Sequence, residues 1–336
     1  MRILVSGAHG FIGSHLCERL LAGGHAVRAL VSPWGVIGNL RTVQTHPNAE
    51  IVRADITDPE SLRGICDDVD AVIHSAARLA DWGPPQPLME TNAGGTRNLL
   101  DAATASGTRR FVLVSSVAVH RFRGFRNADP ERLPRDNGTM PYARSKIAAE
   151  DLVLAWPGEG VVVRPGLWPF GPRDPQTRRV AAALKGGRLP LLGDGGRVLN
   201  TAYVGNLTLG LELAAVTPKQ GGRVFVIADD GAPTWREALA EFARLIGARP
   251  PRLRLPGELV LPVATGVEAL WRTFAPKAEP PLTRYRATLM LRDVHFSLIA
   301  AERHLGYRPE LSWRAGMAVT VSQDPLLRPD GEARVS

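Results

Sequence analysis

Cysteine is almost absent from this sequence of 336 residues, because Cys17 and Cys66 are the only two. Both fall in predicted helices, and two isolated cysteines make neither a disulfide framework nor a metal site. We expect two small buried apolar side chains in a protein of the reducing cytoplasm. A signal peptide or transit sequence is not expected either, because strand-like residues begin at Arg2.

The sequence has fewer acidic than basic residues, and its formal net charge is +8. Its arginines are spread along the chain rather than concentrated in one run. The densest group, which has phenylalanines nearby, consists of Arg109, Arg110, Arg121, Arg123 and Arg126. Such a group is more typical of a solvated loop than of a nucleic-acid interface. No nucleic-acid partner is expected, and an anionic cofactor or an anionic membrane surface explains the charge equally well.

The first half of the sequence alternates short apolar runs with helical patterns. Strands are predicted at Arg2–Ser6, Ala26–Val31, Glu50–Ala54, Ala71–His74, Phe111–Val114 and Val161–Arg164. The helices predicted between them include Phe11–Ala22, Glu90–Ala105 and Tyr142–Ala155. This alternation predicts βαβ units with a parallel sheet. The predicted fold class is therefore α/β, with a Rossmann-type doubly wound parallel sheet.

The pattern loosens after Arg164, where glycine and proline interrupt the chain repeatedly. One more strand is predicted at Val224–Ala228, and the rest of this half is predicted as helices and loops. We expect residues 1–165 to form a dinucleotide-binding Rossmann domain with return segments near residues 200–230. Residues 166–330 are expected to form a smaller, discontinuous C-terminal lobe that binds substrate.

A glycine-rich turn follows the first predicted strand and opens the first predicted helix. Its spacing is GxxGxxG, formed by Gly7, Gly10 and Gly13. Glycine permits backbone angles that other residues avoid and lets a pyrophosphate approach the main chain. The helix N-terminus offers free N–H groups and a partial positive charge to the phosphates. The turn therefore predicts a dinucleotide site.

The identity of the dinucleotide depends on a missing acidic residue. Enzymes that bind NAD often have an acid at the end of the second strand for the ribose hydroxyls. No Asp or Glu occurs between Glu18 and Glu50, and Ser32 follows the strand instead, with Arg28 and Arg41 nearby. Nothing in this stretch repels a 2′-phosphate. The sequence slightly favours NADP and leaves NAD open as the alternative.

Tyr142 and Lys146 are four residues apart at the start of a predicted helix, so they share one face. A free phenol has a pKa near 10 and exchanges protons poorly at neutral pH. A neighbouring ammonium group favours the phenolate, so we expect Lys146 to lower the Tyr142 pKa. Ser116 ends the preceding strand and can donate a hydrogen bond to a reacting oxygen. The three residues predict proton exchange with an alcohol or carbonyl while hydride moves to or from nicotinamide.

The sequence resembles the extended short-chain dehydrogenase/reductases over nearly its whole length. The glycine turn, the segment Asp55–Asp58 and the segment His74–Ala77 match that family's cofactor motifs, and Ser116, Tyr142 and Lys146 stand where it has its catalytic residues. The resemblance implies the following cofactor-binding residues: Gly7, Gly10, Phe11, Ile12, Gly13, Ser32, Asp55, Ile56, Ser75, Ala76, Ala77, Asn92, Tyr142, Lys146 and Pro165.

Within that family the sequence is most similar to the 3β-hydroxysteroid dehydrogenase group. The segments Ala80–Gly83, Glu279–Arg284 and Phe296–Pro309 carry this likeness. The resemblance implies a bulky hydrophobic substrate, either a 3β-hydroxysteroid or sterol or a long-chain β-hydroxy or β-keto acid.

Two alternatives stay open: a nucleotide-sugar epimerase with tightly bound NAD, and a non-catalytic NAD(P)-binding regulator. Dehydratase chemistry is not expected, because Val117 and Ala118 follow Ser116 where the sugar-nucleotide dehydratases have an Asp-Glu pair. Epimerisation is less favoured than simple redox chemistry, because the sequence has Arg164-Pro165-Gly166 where those epimerases usually have an asparagine.

Apolar residues recur at helical spacing within residues 259–275. The segment is too short and too interrupted to span a bilayer. A helix that packs on its own domain or lines the substrate pocket is favoured, and peripheral membrane contact is the alternative. A homodimer also stays open.

Several other residue types invite functional readings. His9, His74 and His120 fall on different turns and strands without ligand spacing, so no metal site is expected. Trp82 and Trp168 are candidates for lining the substrate pocket, and an ordinary position in the hydrophobic core is the alternative.

Overall fold

The computed structural model describes residues 1–275 and 278–329. Residues 276, 277 and 330 of the predicted C-terminal lobe lie outside this part. The strands are β1 (Arg2–Ser6), β2 (Ala26–Val31), β3 (Ala49–Arg53), β4 (Ala71–His74), β5 (Arg110–Val114), β6 (Phe125–Ala128), β7 (Glu159–Pro165), β8 (Trp168–Phe170), β9 (Leu191–Leu192), β10 (Thr201–Tyr203), β11 (Val224–Ile227), β12 (Arg254–Leu255) and β13 (Val294–Phe296). The helices are α1 (Phe11–Ala22), α2 (Arg41–Gln44), α3 (Gln86–Leu88), α4 (Gly95–Ala105), α5 (Pro141–Leu154), α6 (Pro175–Lys185), α7 (Val204–Val216), α8 (Trp235–Leu245), α9 (Gly257–Phe274), α10 (Arg284–Leu291), α11 (Ile299–Leu305) and α12 (Trp313–Gln323).

Seven of the strands form one parallel sheet in the order β3-β2-β1-β4-β5-β7-β11. The chain starts in the middle and winds outward in both directions, so the strand order reverses between β1 and β4. Ligands of such sheets bind at this point, beyond the carboxyl ends of the strands. The Rossmann-type doubly wound sheet predicted from the sequence is confirmed.

The sheet is buried on both faces, as a parallel sheet requires. Helices α1, α7 and α11 cover one face through a cluster that includes Leu16, Leu207 and Leu305. Helices α4 and α5 cover the other through Leu99 and Val153. Because β11 lies beside β7 and α7 packs on the sheet, residues after 200 return to the Rossmann core.

The second half contains more strands than the sequence indicated. Besides β11, three parallel pairs occur: β8 with β10, β9 with β12 and β6 with β13. Each strand has only two to four residues, too few for a detectable alternation in the sequence. A separate core lies beneath them, where Trp168 stacks on Trp235 with 5.7 Å between the ring centroids. Trp168 is therefore a core residue.

The helix predicted at Glu90–Ala105 is not regular. Residues Met89–Gly94 form a π-helical turn, and the α-helix begins only at Gly95. Such turns have one extra residue per turn and occur frequently at functional sites. The turn contains Asn92, which is almost completely buried.

Candidate active site

The glycine turn between β1 and α1 is built by close backbone approaches. Gly7 has a φ of +67°, and a Cβ atom there would lie 2.7 Å from the Cα of Ala76. A Cβ on Gly13 would lie 2.3 Å from the Gly7 carbonyl oxygen. Gly10 donates its N–H to that same oxygen over 2.9 Å. Side chains at Gly7 or Gly13 would therefore open the turn.

The N-terminus of α1 is left free by this turn. Gly10 is the N-cap residue, so no side chain caps the helix, and the first turn contains no acidic residue. The first N–H groups of a helix have no partner within it and attract anions. A pyrophosphate fits this arrangement because the missing Cβ atoms let it reach the main chain.

The segment after β4 is anchored at both ends. The Ser75 hydroxyl donates to the Ser6 carbonyl over 2.6 Å, and Ala76 donates its N–H to the Ser6 hydroxyl oxygen over 3.2 Å. Asn92 accepts from the Arg78 N–H over 2.7 Å and donates to the Arg78 carbonyl over 3.0 Å. Its amide also donates to the Ser145 hydroxyl on α5 over 2.8 Å. Asn92 thus joins the cofactor segment to the helix that carries Tyr142.

A cleft of about 920 Å³ lies along this edge of the sheet. Among the cofactor-binding residues predicted from the sequence, those that line it are Gly7, Gly10, Ser32, Asp55, Ile56, Ser75, Ala76 and Ala77. The others do not line it: Phe11, Ile12, Gly13, Asn92, Tyr142, Lys146 and Pro165. Sequence reasoning did not identify these further lining residues: His9, Leu30, Trp34, Ala54, Thr57, Arg78, Pro87, Glu90, Thr91, Gly94 and Asn98. Most of them adjoin a recognised motif in the sequence, and this proximity was the one signal that could have identified them.

Arg53 holds the loop that follows β2. Its guanidinium donates to the carbonyl oxygens of Ser32, Pro33 and Gly35 over 2.8 to 3.2 Å. Arg28, named from the sequence, instead pairs with Glu50 over 2.8 Å and donates to backbone carbonyls below the sheet edge. The basic residue that contacts the loop after β2 is therefore Arg53 rather than Arg28.

Tyr142 lies in the first turn of α5 with 9% of its surface exposed. Its phenol shares a side-chain hydrogen bond with Ser116, which follows β5. Burial raises the pKa of Tyr142 to about 12, and the Ser116 hydrogen bond lowers it only in part. The sequence led us to expect a lowered pKa from Lys146. Within the chain itself that expectation is not met, because burial dominates and Lys146 is not among the causes of the shift.

Lys146 is one helical turn after Tyr142 and is also buried. Its ammonium donates to the Val114 carbonyl at the end of β5 over 2.7 Å. Burial lowers the pKa of Lys146 to about 8, and the Glu150 carboxylate acts in the opposite direction. The lysine is thus held where β5 ends, on the same face of α5 as the tyrosine.

Glu150 and Arg164 form a buried ion pair behind Lys146. Their side chains are joined by two hydrogen bonds of 2.6 and 2.8 Å. Ser115 donates to the same carboxylate over 2.6 Å, and Arg135 lies 3.3 Å from it. These contacts hold the pKa of Glu150 below its usual range despite its burial. Arg164 was known from the sequence only as part of a motif, so its partner is a finding of the structure.

The three histidines weighed earlier have distinct surroundings. His74 is buried between Ser6, at 2.6 Å, and Thr96, at 3.0 Å, and burial lowers its pKa to about 3. His120 lies between the Pro134 carbonyl and Arg164. His9 lines the cleft. Within the described residues no group of three or more His, Cys, Asp or Glu side chains is placed to hold a metal ion.

A family model described as the NAD dependent epimerase/dehydratase family matches residues 3–228. The chain is 30% identical over 335 residues to the 2-alkyl-3-oxoalkanoate reductase of Stenotrophomonas maltophilia, covering 94% of this chain and 97% of the relative. It is 33% identical over 331 residues to the 3 beta-hydroxysteroid dehydrogenase/Delta 5→4-isomerase of Mycobacterium tuberculosis, covering 92% and 86%.

Solved structures of similar fold extend over the same length. The crystal structure of gox2253 has a TM-score of 0.77 and 29% identity, covering 96% of this chain and 97% of that one. UDP-glucuronic acid 4-epimerase from Bacillus cereus in complex with NAD has a TM-score of 0.76 and 23% identity, covering 96% and 98%. The second likeness concerns the fold alone.

Proposed function

The chain belongs to the NAD dependent epimerase/dehydratase family, and on this premise we propose that it oxidises a secondary alcohol or reduces a ketone on a bulky hydrophobic substrate. The observation that carries the proposal is the buried Tyr142, with the half-buried Ser116 as its hydrogen-bond partner and Lys146 one turn away. These groups lie beyond the carboxyl ends of the strands, where the glycine turn and the cleft also lie.

Each of these groups has a distinct role in the proposed reaction. Tyr142 exchanges a proton with the reacting oxygen, and Ser116 holds that oxygen by a hydrogen bond. Lys146 brings a positive charge beside the phenol, which favours the phenolate. A bound nicotinamide supplies the hydride acceptor or donor. Burial raises the pKa of Tyr142 to about 12, so the tyrosine is a proton donor in the resting protein, which suits ketone reduction.

The substrate class follows from the relatives rather than from the cleft. Their names include a 2-alkyl-3-oxoalkanoate reductase, a 3 beta-hydroxysteroid dehydrogenase and a sterol-4-alpha-carboxylate 3-dehydrogenase. All three names describe redox chemistry at an oxygen-bearing carbon of an apolar skeleton. We propose a long-chain β-keto or β-hydroxy acid or a 3β-hydroxysterol as the substrate.

For the cofactor we propose that NADP is accepted at least as well as NAD. The loop after β2 has no carboxylate at Ser32, and Arg53 lies beneath the carbonyls of that loop. A 2′-phosphate would meet positive charge rather than repulsion there. Because solved neighbours contain NAD, a direct comparison of the two cofactors is required.

A coupled absorbance assay tests the proposal. Sterols, β-keto acids and UDP-sugars are each offered with NAD(H) and with NADP(H). We expect turnover with the sterols or the β-keto acids and none with the UDP-sugars. Turnover with UDP-sugars alone would reject the hydrophobic substrate, and tightly retained NAD without net consumption would indicate an epimerase.

A matched variant tests the assignment of the proton donor. Tyr142→Phe removes one hydroxyl, and we expect turnover to fall by about 10²- to 10⁴-fold while the protein still binds dinucleotide. Tyr203→Phe removes the same group from the aromatic core and should leave turnover unchanged. The regulator alternative would be supported if neither the wild type nor Tyr142→Phe turned over any offered substrate while both bound dinucleotide.

A further inference from the structure

A second tyrosine reaches the candidate active site from the C-terminal half of the chain. Tyr285 lies on α10 and packs against the small cluster formed by Leu88, Ala118 and Tyr142. Its ring also contacts Phe122, with 5.9 Å between the centroids. Tyr285 therefore lies beside Tyr142, packed against the same apolar cluster.

The hydroxyl of Tyr285 makes no hydrogen bond to any of the described residues, 1–275 and 278–329. Burial raises the pKa of Tyr285 well above its usual value, and Tyr142 and Asp81 nearby add to the rise. The group remains a protonated donor at every working pH. The side chain is half-buried and its hydroxyl is not among the buried polar atoms without a partner, so water reaches it and a substrate oxygen can take the place of that water.

The position of Tyr285 is fixed by a clamp between α10 and the loop after β4. Thr283 caps α10 by accepting from the Arg286 N–H, and its hydroxyl donates to Asp81 over 2.9 Å. The Arg286 guanidinium pairs with the same carboxylate over 2.9 Å. Next to it, Arg272 on α9 lies 5.6 Å from the Trp82 ring centroid. The clamp holds Tyr285 in a constant place relative to Tyr142, so its hydroxyl can discriminate between substrates.

We propose that Tyr285 binds a second oxygen of the substrate, a carboxylate or ester oxygen near the carbonyl that Ser116 and Tyr142 hold. A carbonyl oxygen has two lone pairs, and these two hydroxyls occupy both. The third hydroxyl in the same cluster is then available for another acceptor. This inference rests on the proposed function and deepens it, because it favours β-keto acids over sterols that carry a single ketone.

The test compares two ketones of equal chain, 3-oxotetradecanoate and 2-tridecanone, which lacks the carboxylate. In Tyr285→Phe we expect kcat/KM for the keto acid to fall by about tenfold to hundredfold. The value for 2-tridecanone should change by less than about threefold. Tyr203→Phe is the control and should change neither value. An equal loss for both ketones, or no loss for either, would overturn the assignment of Tyr285.

Binding provides a readout that does not depend on turnover. Calorimetry measures the affinity of 3-hydroxytetradecanoate and of 2-tridecanol for the wild type and for Tyr285→Phe. If Tyr285→Phe weakens the binding of the acid but not of the alcohol, the role of Tyr285 is supported. This holds even if neither ketone is reduced, an outcome that would reject only the redox proposal. Equal affinity of both proteins for the acid would reject the role of Tyr285.

Discussion

Glu150 is the residue whose charge the candidate site depends on most. It has no exposed surface, and its carboxylate is satisfied by Arg164, Ser115 and Arg135. It lies one turn after Lys146 on α5 and raises the lysine's pKa against the effect of burial. A buried ion pair of this kind adds little net stability but becomes costly when one partner is removed.

Glu150→Gln should change both the pH profile and the stability. Without the carboxylate the pKa of Lys146 falls below about 8. If activity requires charged Lys146, the loss of turnover at alkaline pH then begins at a lower pH. The unpaired Arg164 should cost about 3 kcal/mol of unfolding free energy. Rates are measured from pH 6 to pH 10 at a temperature where circular dichroism shows a folded protein.

The neighbouring exposed carboxylate provides the control for this prediction. Asp151 pairs with Arg135 at the surface and is 57% exposed. Asp151→Asn should keep the wild-type profile, because surface ion pairs contribute little. Identical alkaline limbs in the Glu150 variant and the wild type would show that Glu150 does not influence the titrating group.

The sequence predicts the placement of single residues well where they belong to a local spacing pattern. Tyr142 and Lys146 share a helical face because of their spacing, and the structure places both beside the end of β5. Tyr285 and the Arg164 partner of Glu150 were not predicted. Their neighbours are separated by more than a hundred residues or lie on other elements, and no spacing rule reports such contacts. The pKa of Tyr142 was expected to be lowered, whereas burial raises it. The spacing of residues in a sequence gives no measure of burial.

At the scale of elements, the strands of the main sheet were predictable because all except β3 are mainly apolar runs. Strands β1, β2 and β4 have the predicted bounds, and the other four differ from the prediction by one or two residues, since element ends are weakly specified. Strands β9 and β12 have only two residues each and leave no pattern. The π-helical turn around Asn92 was also missed, because it depends on the partners of Asn92 rather than on local periodicity.

The apolar residues noted within residues 259–275 lie on two different faces of helix α9. Val260 and Ala264 are buried against α10. The outward face carries four large exposed side chains, Leu259, Val263, Leu270 and Phe274. None of the helices within residues 1–275 and 278–329 is long and apolar enough to cross a bilayer. An interfacial helix needs only one such face.

We expect α9 to bind anionic bilayers through this face. Arg252, Arg254 and Arg284 are exposed beside it and complement acidic headgroups. The double variant Leu259→Ser with Phe274→Ser should sediment at least about tenfold less with vesicles that contain phosphatidylglycerol. Leu326→Ser, at an exposed leucine far along the chain, is the control. Equal sedimentation of both variants would reject the membrane contact.

At the scale of the whole molecule, a buried polar centre joins α7 and the residues after β11 to the segment before α12. The Asn206 amide donates to Asp229 and to the Leu311 carbonyl, each over 2.7 Å. Its oxygen accepts from the N–H groups of Glu310 and Leu311. Asp229 in turn accepts from the Tyr203 N–H over 2.8 Å. The sheet, α7 and the segment before α12 therefore depend on one carboxylate.

Burial raises the pKa of Asp229 to about 6 from its usual 3.8. The folded protein therefore holds this proton more tightly than the unfolded chain. The contribution of the Asp229 carboxyl to the free energy of unfolding is fully present below pH 3.8. It is lost as the pH rises through 6. The full shift corresponds to about 3 kcal/mol.

Asp229→Asn keeps an oxygen that can accept from Tyr203 and Asn206 but removes the titration. Between pH 4 and pH 8 the wild type should lose about 2 kcal/mol of unfolding free energy more than this variant, measured by urea denaturation at both values. Asp230→Asn, at the exposed neighbouring carboxylate, should follow the wild type. Parallel pH dependence in all three proteins would mean that Asp229 is already ionised at low pH when folded. Its hydrogen bonds would then offset its burial, and this polar centre would be as stable near neutral pH as at pH 4.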